Sequence, residues 1–425
     1  MTRTVESRGQ PADSIGLRAS RQPAKGFRMW TAPATIMLAT LLSYIDRNTL
    51  AALSVMILAD TNMSAESYSW TISAFSIAYM IGNPLWGSVL DHVGLRAGML
   101  VAVTLWTAAS TAHAWVAGFV GFAVARAVLG FGEGAAFPGA LRTAAESLPE
   151  DRQSRGMALG YSGASLGAII TPPLMNRVAL AYGWRTAFLV TGLFGAVWLL
   201  VWAMVARPPF LPKHARRSGK IVWPNLADRR CWVIASSFGL GAVALGIVGY
   251  LTPLYLNRAL GLTQAQLGDV LWIPLVGWEA GYFFWGWMAD RYAADMPDRE
   301  RPKRLFIVLT LLALPVGLIT QTDSLALTLM LLFWATFVAD GFVVTSLRVG
   351  TRIYPREQTA MVAGIGSASW SAVQAVVLPL YGRWVDQAWF TGIFVTMSLL
   401  PLAGTGLWLL LSRDLALWRR EQVMR

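Results

Sequence analysis

The stretch Tyr44-Ile45-Asp46-Arg47-Asn48-Thr49-Leu50 places two charged side chains in the middle of an apolar run that extends from residue 32 to residue 58. That run is long enough to cross a membrane, for which roughly 20 helical residues suffice. An ionised side chain near the centre of such a helix costs about 2.5–3.5 kcal/mol on insertion scales, so two adjacent charges call for a reason. The stretch therefore predicts a membrane protein with a substrate or ion pathway, in which these side chains face the interior of a helix bundle.

Composition indicates a polytopic membrane protein. Hydrophobic residues make up 55% of the 425 residues and charged residues only 14%, with a mean hydropathy of +0.50. The formal net charge is +12. In a soluble chain this excess would suggest nucleic acid, but here we expect no such partner, because basic residues in short loops fix the topology of a membrane protein. The single Cys231 allows no internal disulfide, and with three histidines no metal site is expected.

Twelve apolar segments follow one another along the chain, and they predict an all-α integral membrane fold. Most of them exceed the length that a membrane span requires. The predicted segments are 32–58, 69–90, 97–116, 118–147, 156–180, 184–206, 230–256, 267–289, 304–321, 324–352, 358–384 and 388–412.

Lys and Arg are concentrated in residues 1–31, 207–230, 291–304 and 413–425, whereas the alternate loops 59–68, 112–118 and 322–324 hold none. By the positive-inside rule, both termini and the central loop are cytoplasmic. Residues 1–28 are polar and basic, so we expect no cleavable signal. The predicted organisation is a cytoplasmic segment 1–31, a six-helix bundle 32–206, a cytoplasmic linker 207–229, a second six-helix bundle 230–412 and a cytoplasmic tail 413–425.

An internal repeat supports the division into two halves. A Gly-x-x-x-Asp pattern ends segment two at Gly87 and Asp91, and it ends segment eight at Gly286 and Asp290. Two parallel six-helix halves, with a binding site between them near the membrane midplane, are typical of transporters.

The motifs resemble those of the major facilitator superfamily over the whole chain. Gly87-Ser-Val-Leu-Asp91-His92-Val-Gly94-Leu-Arg96 is similar to its loop motif, with His92 and Leu95 where a basic residue is usual. Arg126-Ala-Val-Leu-Gly130-Phe-Gly132-Glu133-Gly134 is similar to its second motif. The resemblance implies a gating or structural role for Gly87, Asp91, Gly94 and Arg96, and for Asp290 and Arg291 in the second half.

A narrower resemblance is to the anion:cation symporter family. It is carried by Asp46-Arg47-Asn48-Thr49, Arg126, Glu133-Gly134, Phe137-Pro138 and Arg155-Gly156, and the residues around 162–173 resemble the hexuronate and aldonate branch. The second half matches more loosely. The resemblance implies proton-coupled uptake of a small organic anion in a bacterial inner membrane, driven by the proton gradient without a cofactor. We expect the protein to be a monomer.

Residue chemistry points the same way. Arg126 and Glu133 are seven apart and share a helix face, as do Tyr44 and Arg47, which are three apart. Guanidinium groups fit a carboxylate bidentately, so Arg47 and Arg126 are expected to bind an anion. Asp46 and Glu133 can titrate, and we expect them to couple protons by competing with the substrate for arginine.

Each of these residues also has a purely structural alternative. Arg126 would then only tie helices together, and Asp46 and Arg47 would neutralise each other. Tyr79 and Asn83 share a face with Ser76, and they either line the cavity or bond to neighbouring helices. The family resemblance favours the cavity for Tyr44 and Tyr79.

In the second half, Glu279 and Asp340 are candidates because intramembrane acids are costly. We expect Asp340 to pair with Arg348, about two turns on. Trp370 and Gln374 share a face and are candidates for contact with a sugar. The glycines of segment five predict a packing face; they are Gly156, Gly160, Gly163 and Gly167.

Other functions remain open at this point. A drug or cation exporter of the same fold would have a Gly-Pro-rich motif in segment five, whereas Pro172 and Pro173 come late. An uncoupled facilitator would not accumulate substrate above equilibrium, and a nutrient sensor would bind ligand without moving it. An enzyme would need a catalytic constellation, but His92, His113, His214 and Cys231 are scattered.

Overall fold

The computed structural model describes residues 26–211, 224–291, 300–355 and 358–413. Within these ranges the regular structure is helical and contains no strand. The predicted terminal segments 1–31 and 413–425 lie largely outside these ranges, and so do residues 212–223 of the predicted linker 207–229.

The helices form twelve consecutive segments, which we call spans 1 to 12. Span 1 begins after a 3-10 turn at Gly26–Trp30. The first six are Thr31–Ala52 with Ser54–Thr61, Ala65–Val93, Leu95–Ala112, Gly118–Glu133 with Ala136–Ser147, Glu150–Tyr182, and Trp184–Val205. The other six are Arg229–Ala235 with a π turn Ser236–Leu240 and Val243–Leu260, Gln264–Val270 with Trp272–Arg291, Glu300–Ala313 with a 3-10 stretch Leu314–Gln321, Leu325–Ile353, Thr359–Asp386, and Phe390–Leu411.

Eight of these spans are long and apolar enough to cross a membrane on their own, counting only the described residues. Span 1 makes a ninth if its two parts, bent by 55°, are taken together. The remaining spans 2, 5 and 8 are helices of 29, 33 and, in the longer part of span 8, 20 residues. Each of the twelve predicted segments lies on one span.

Glycines of span 5 bring span 1 into close contact. A Cβ atom on Gly163 would lie 2.1 Å from the Met37 carbonyl oxygen, and one on Gly167 would lie 2.3 Å from that of Leu41. The predicted packing face is confirmed, since neither position has room for a side chain. This contact fixes the helix that carries Asp46 and Arg47.

The two halves repeat the same contacts. Trp86 donates to the Phe131 carbonyl and Trp285 to that of Phe337, both at 2.8 Å.

The two Gly-x-x-x-Asp motifs also form equivalent ion pairs in the two halves. Arg142 donates to Asp91 at 2.8 Å, and Arg348 donates to Asp290 at 2.8 Å.

The predicted pairing of Asp340 with Arg348 is therefore wrong. Eight residues of helix separate them by about 12 Å along the axis, and an arginine near the end of a span reaches the neighbouring loop more easily. Arg348 lies in the last two turns of span 10, next to Asp290 at the end of span 8.

The halves are fastened to each other at the end that carries loops 62–64, 261–263 and 387–389, which we call the hairpin end. Asp386 of span 11 accepts hydrogen bonds from the backbone N–H groups of Ala65 and Glu66, both at 2.9 Å. Gln264 donates to the Ala52 carbonyl at 2.7 Å and also contacts Asn176. These bonds join the second half to spans 1, 2 and 5 of the first.

Candidate functional site

Arg47 and Glu133 form a buried ion pair. The Arg47 Nε and Nη2 atoms donate to one oxygen of Glu133, Oε2, at 3.1 and 2.9 Å. Arg47 is 5% exposed and Glu133 is 0% exposed. The other carboxylate oxygen, Oε1, has no hydrogen-bond partner among the described residues. Removing water from both charges makes each depend strongly on the other.

Three aromatic rings surround the Arg47 guanidinium. Its carbon lies 4.6 Å from the centre of the Tyr44 ring, 4.7 Å from that of Phe75 and 4.8 Å from that of Tyr79. Aromatic faces attract a cation without using its hydrogen-bond donors. The predicted Tyr44 and Tyr79 therefore lie at the site, and Phe75, which no sequence pattern singled out, joins them.

Arg126 is bound to the backbone of span 1. Its Nη1 and Nη2 atoms donate to the Arg47 carbonyl at 3.2 and 3.1 Å. The Nε atom has no partner among the described residues. Arg126 thus ties spans 1 and 4 together, as its structural alternative supposes, while it also places a second guanidinium beside Arg47.

Asp46 lies on a different side of span 1. Ser110 of span 3 donates to its Oδ1 atom at 2.7 Å, and the Ser110 hydroxyl also bonds that of Thr191 at 2.9 Å. The alternative of an Asp46–Arg47 neutralising pair is not formed. Arg47, Arg126 and Glu133 therefore lie together. Asp46, which was predicted to act with Glu133, instead interacts with spans 3 and 6.

An open crevice lies between the two halves next to this cluster. Its cavity volume is only about 20 Å³, and it is lined by Asn48 and Pro172 of the first half and by Val248, Thr252 and Leu275 of the second, among others. Tyr250 of span 7 lies close enough to Arg47 and Arg126 for electrostatic interaction. A tyrosine in an apolar run gives no sequence signal, so Tyr250 was not predicted.

The second-half candidates bond elsewhere. Trp370 donates to the Ala242 carbonyl at 3.1 Å, and Gln374 donates to that of Val243 at 2.9 Å. Both side chains therefore join span 11 to span 7. Asp340 is 1% exposed, and neither of its oxygens has a partner among the described residues. Glu279 is half-buried on span 8.

The loop-motif residues lie at the ends of spans 2 and 8. Gly94 has a φ of +92°, which favours glycine and allows span 3 to begin directly after span 2. Arg96 is exposed and its carbonyl accepts from Trp202 at 3.2 Å. The guanidinium of Arg291 lies 5.7 Å from the Trp287 ring centre, and a Cβ on Gly87 would meet nothing within 4 Å.

Comparison with protein families identifies the fold. Residues 36–351 match the family model of the Major Facilitator Superfamily. The chain belongs to this superfamily. It is a multi-pass membrane transporter and not an enzyme, and the predicted fold of two six-helix bundles is confirmed.

Characterised relatives cover most of the chain. A "Hexuronate transporter" of Escherichia coli strain K12 is 26% identical over 89% of this chain and 93% of its own length. A "Galacturonate transporter" of Dickeya chrysanthemi is 30% identical over 62% of this chain and 82% of its own length. A "D-galactonate transporter" of Escherichia coli O6:H1 is 23% identical over 92% of this chain and 96% of its own length.

Solved structures show the same fold. A bacterial homologue of the human lysosomal transporter Spinster, in an inward-facing and occupied conformation, superposes with a TM-score of 0.75. That match covers 94% of this chain and 99% of the other at 13% identity. The inward-facing unoccupied form gives a TM-score of 0.71.

Proposed function

We propose that this transporter takes up a small sugar acid, such as a hexuronate or an aldonate, together with protons. The observation that carries the proposal is the buried Arg47–Glu133 pair beside the crevice between the halves. Relatives named for hexuronate, galacturonate and galactonate transport support the substrate class. A guanidinium group fits the carboxylate that these sugar acids share.

Competition for Arg47 explains the coupling. While Glu133 is ionised it occupies Arg47 Nε and Nη2, the two donors that a substrate carboxylate would use. A proton on Glu133 removes its charge and frees these donors for the anion. Proton and substrate are then bound together and released together, which is the requirement for symport.

Alternating access follows from opening and closing the two ends of the bundle. The halves are joined at the hairpin end by Asp386 and Gln264. We propose that both termini are cytoplasmic in a bacterial inner membrane, so that the joined end faces the periplasm, as in an inward-facing state. We propose that a single chain completes the cycle.

The test is uptake of labelled galacturonate, glucuronate and galactonate into proteoliposomes, with and without an inward proton gradient. Accumulation above equilibrium that requires the gradient is expected, and Arg47→Ala should abolish it. The matched control is Arg185→Gln, because Arg185 forms an exposed ion pair with Asp60 at 2.7 Å and does not contact the buried pair.

Glu133→Gln separates coupling from binding. The variant imitates protonated Glu133, so substrate exchange across the membrane should persist while accumulation driven by the gradient is lost. Normal accumulation by Glu133→Gln would remove Glu133 from the mechanism. Wild-type uptake that stops at equilibrium would indicate a facilitator, and expulsion of organic cations against the gradient would indicate an exporter.

A further inference from the structure

Asp340 is a buried carboxylic acid that has no counter-charge among the described residues. It lies in the middle of span 10 with 1% of its surface exposed. Neither side-chain oxygen has a hydrogen-bond partner among the described residues, and Arg348 is held by Asp290. An ionised carboxylate in such a place costs several kcal/mol, whereas the protonated acid avoids most of that cost. The surroundings therefore favour the form that carries a proton.

The internal repeat places Asp340 near the depth of Glu133, one position further along its helix. The Trp86–Phe131 bond corresponds to the Trp285–Phe337 bond. Glu133 follows Phe131 by two positions, whereas Asp340 follows Phe337 by three. Spans 4 and 10 thus each carry an acid at nearly the same depth. The difference is that Glu133 is bonded to an arginine and Asp340 is not.

Titratable neighbours of Asp340 lie on span 8. A Cβ on Gly281 would come within 3.1 Å of the Asp340 Cβ, so the two helices touch at this point. Glu279 and Tyr282 interact with Asp340 electrostatically. On the other sides of span 10, the contacts nearby involve uncharged residues: Phe342 packs against Gly241, Gly341 packs against Leu309, and Ser346 bonds Ser237.

Span 8 also connects this acid to the space between the halves. Tyr282 is 46% exposed and interacts with Tyr161 of span 5, in the other half. Glu279, one turn earlier and half-buried, lies on the same face as Tyr282. Glu279 and Tyr282 are therefore the more accessible neighbours of buried Asp340.

We propose that Asp340 is a proton-binding site of the second half, distinct from Glu133, which exchanges its proton with the space between the halves through Glu279. The step is a transfer of H⁺ between the two carboxyl groups and involves no change of oxidation state. Its contribution to coupling rests on the proposed symport, but the binding of the proton does not.

Infrared difference spectroscopy of the purified full-length protein tests the site directly. At neutral pH, the carbonyl-stretch band of a protonated carboxylic acid should be present in wild type, shift in D₂O and disappear in Asp340→Asn. The band should persist in Asp323→Asn, since Asp323 is exposed in a loop. Glu279→Gln should keep the band and slow its shift in D₂O.

Measurements of folding and transport in the Asp340 variants provide further tests. An amide has the shape of the neutral acid, so Asp340→Asn should elute as wild type does and unfold at the same temperature or higher. If it does not fold, Asp340→Glu serves instead, and its acid band should move and not vanish. In proteoliposomes, Asp340→Asn should change the pH dependence of net uptake more than that of exchange.

Two results would overturn the proposal. One is an acid band that survives unchanged in Asp340→Asn. The other is a carboxylate band assigned to Asp340 that responds to Na⁺, which would make the site one for a metal cation. Absence of sugar-acid transport by wild type would refute the proposed function alone, because the infrared band is measured without substrate.

Discussion

Arg47 is contacted by three aromatic rings and one carboxylate, and only the carboxylate competes with an anion. The rings of Tyr44, Phe75 and Tyr79 attract the guanidinium through their faces and leave its N–H donors available. Glu133 uses two of those donors. The availability of Arg47 to substrate is therefore controlled by the charge of a single side chain.

Arg126→Lys tests whether Arg126 acts only as a tie between helices. Lysine lacks the planar fork that donates twice to the Arg47 carbonyl. We expect a loss of roughly 1–3 kcal/mol in the free energy of unfolding, since buried acceptors are left with fewer donors, and weaker binding of sugar acids. Thermal unfolding and substrate binding of the purified variant measure the two effects. Arg185→Lys is the exposed control, and unchanged binding by a destabilised Arg126→Lys would leave Arg126 with a structural role alone.

Sequence spacing predicted some side-chain contacts and missed others for a physical reason. The cost of intramembrane charge singled out Arg47 and Glu133, and helical periodicity placed each on a face. Periodicity does not say how one helix is rotated against the next. The bond from Ser110 to Asp46 and the position of Phe75 depend on that rotation.

At the scale of a helix, the contact at Gly163 leads to a prediction about how span 5 packs against span 1. The Cβ of Gly163→Ala would lie 2.1 Å from the Met37 backbone oxygen, and backbone cannot rotate away as a side chain can. We expect span 1 to be displaced, with loss of transport and a lower unfolding temperature. Gly364→Ala is the control, because its Cβ would meet nothing within 4 Å. Equal behaviour of the two variants would contradict the close contact between spans 1 and 5.

The start of span 7 gives a prediction that depends on pH. The Asp228 side chain caps the helix by accepting from the Arg230 N–H at 2.9 Å, and it forms an ion pair with the Arg230 guanidinium at 2.8 Å. Burial alone would raise the pKa of Asp228, but the hydrogen bonds from Arg230 outweigh it and hold the pKa below its ordinary value of 3.8. Because folding lowers this pKa, the ionised Asp228 carboxylate stabilises the folded state at pH values above the ordinary pKa. That stabilisation is lost as the pH falls through the lowered pKa.

Asp228→Ala should therefore lower the free energy of unfolding by about 1 kcal/mol at neutral pH, which is the usual contribution of a helix cap. The difference from wild type should shrink as the pH falls below the ordinary aspartate pKa. Denaturation at several pH values measures it, with exposed Asp151→Ala as the control. A difference that grows on acidification would contradict the assignment.

The lengths of the apolar runs predicted where the helices lie, but they did not predict the breaks within spans 1 and 4. Span 1 bends by 55° between Ala52 and Ser54, and span 4 is interrupted after Glu133. No proline or charge marks the bend of span 1. Such breaks are set by neighbouring helices that satisfy the freed backbone groups, and this information is absent from a single segment.

At the scale of the whole molecule, the repeat of Asp91 and Asp290 correctly indicated two related halves, because each motif forms the same contact within its own half. The state of the molecule was not predictable. It depends on contacts such as that of Asp386 with Ala65, which join residues more than 300 positions apart. Two such states differ by only a few kcal/mol, too little for sequence patterns to decide.

Asp386→Ala should therefore shift the molecule towards a state that is open at the hairpin end. The carboxylate accepts two backbone N–H groups at the start of span 2, where a helix favours negative charge, and it also bonds Arg258 at 3.0 Å. Losing these bonds should change the equilibrium by about 2 kcal/mol, or roughly thirtyfold. Spin labels in loops 62–64 and 387–389 would report a longer distance in the variant. Asp323→Ala, an exposed acid at the same end, should leave that distance unchanged, and equal distances in both variants would mean that Asp386 does not hold the halves together.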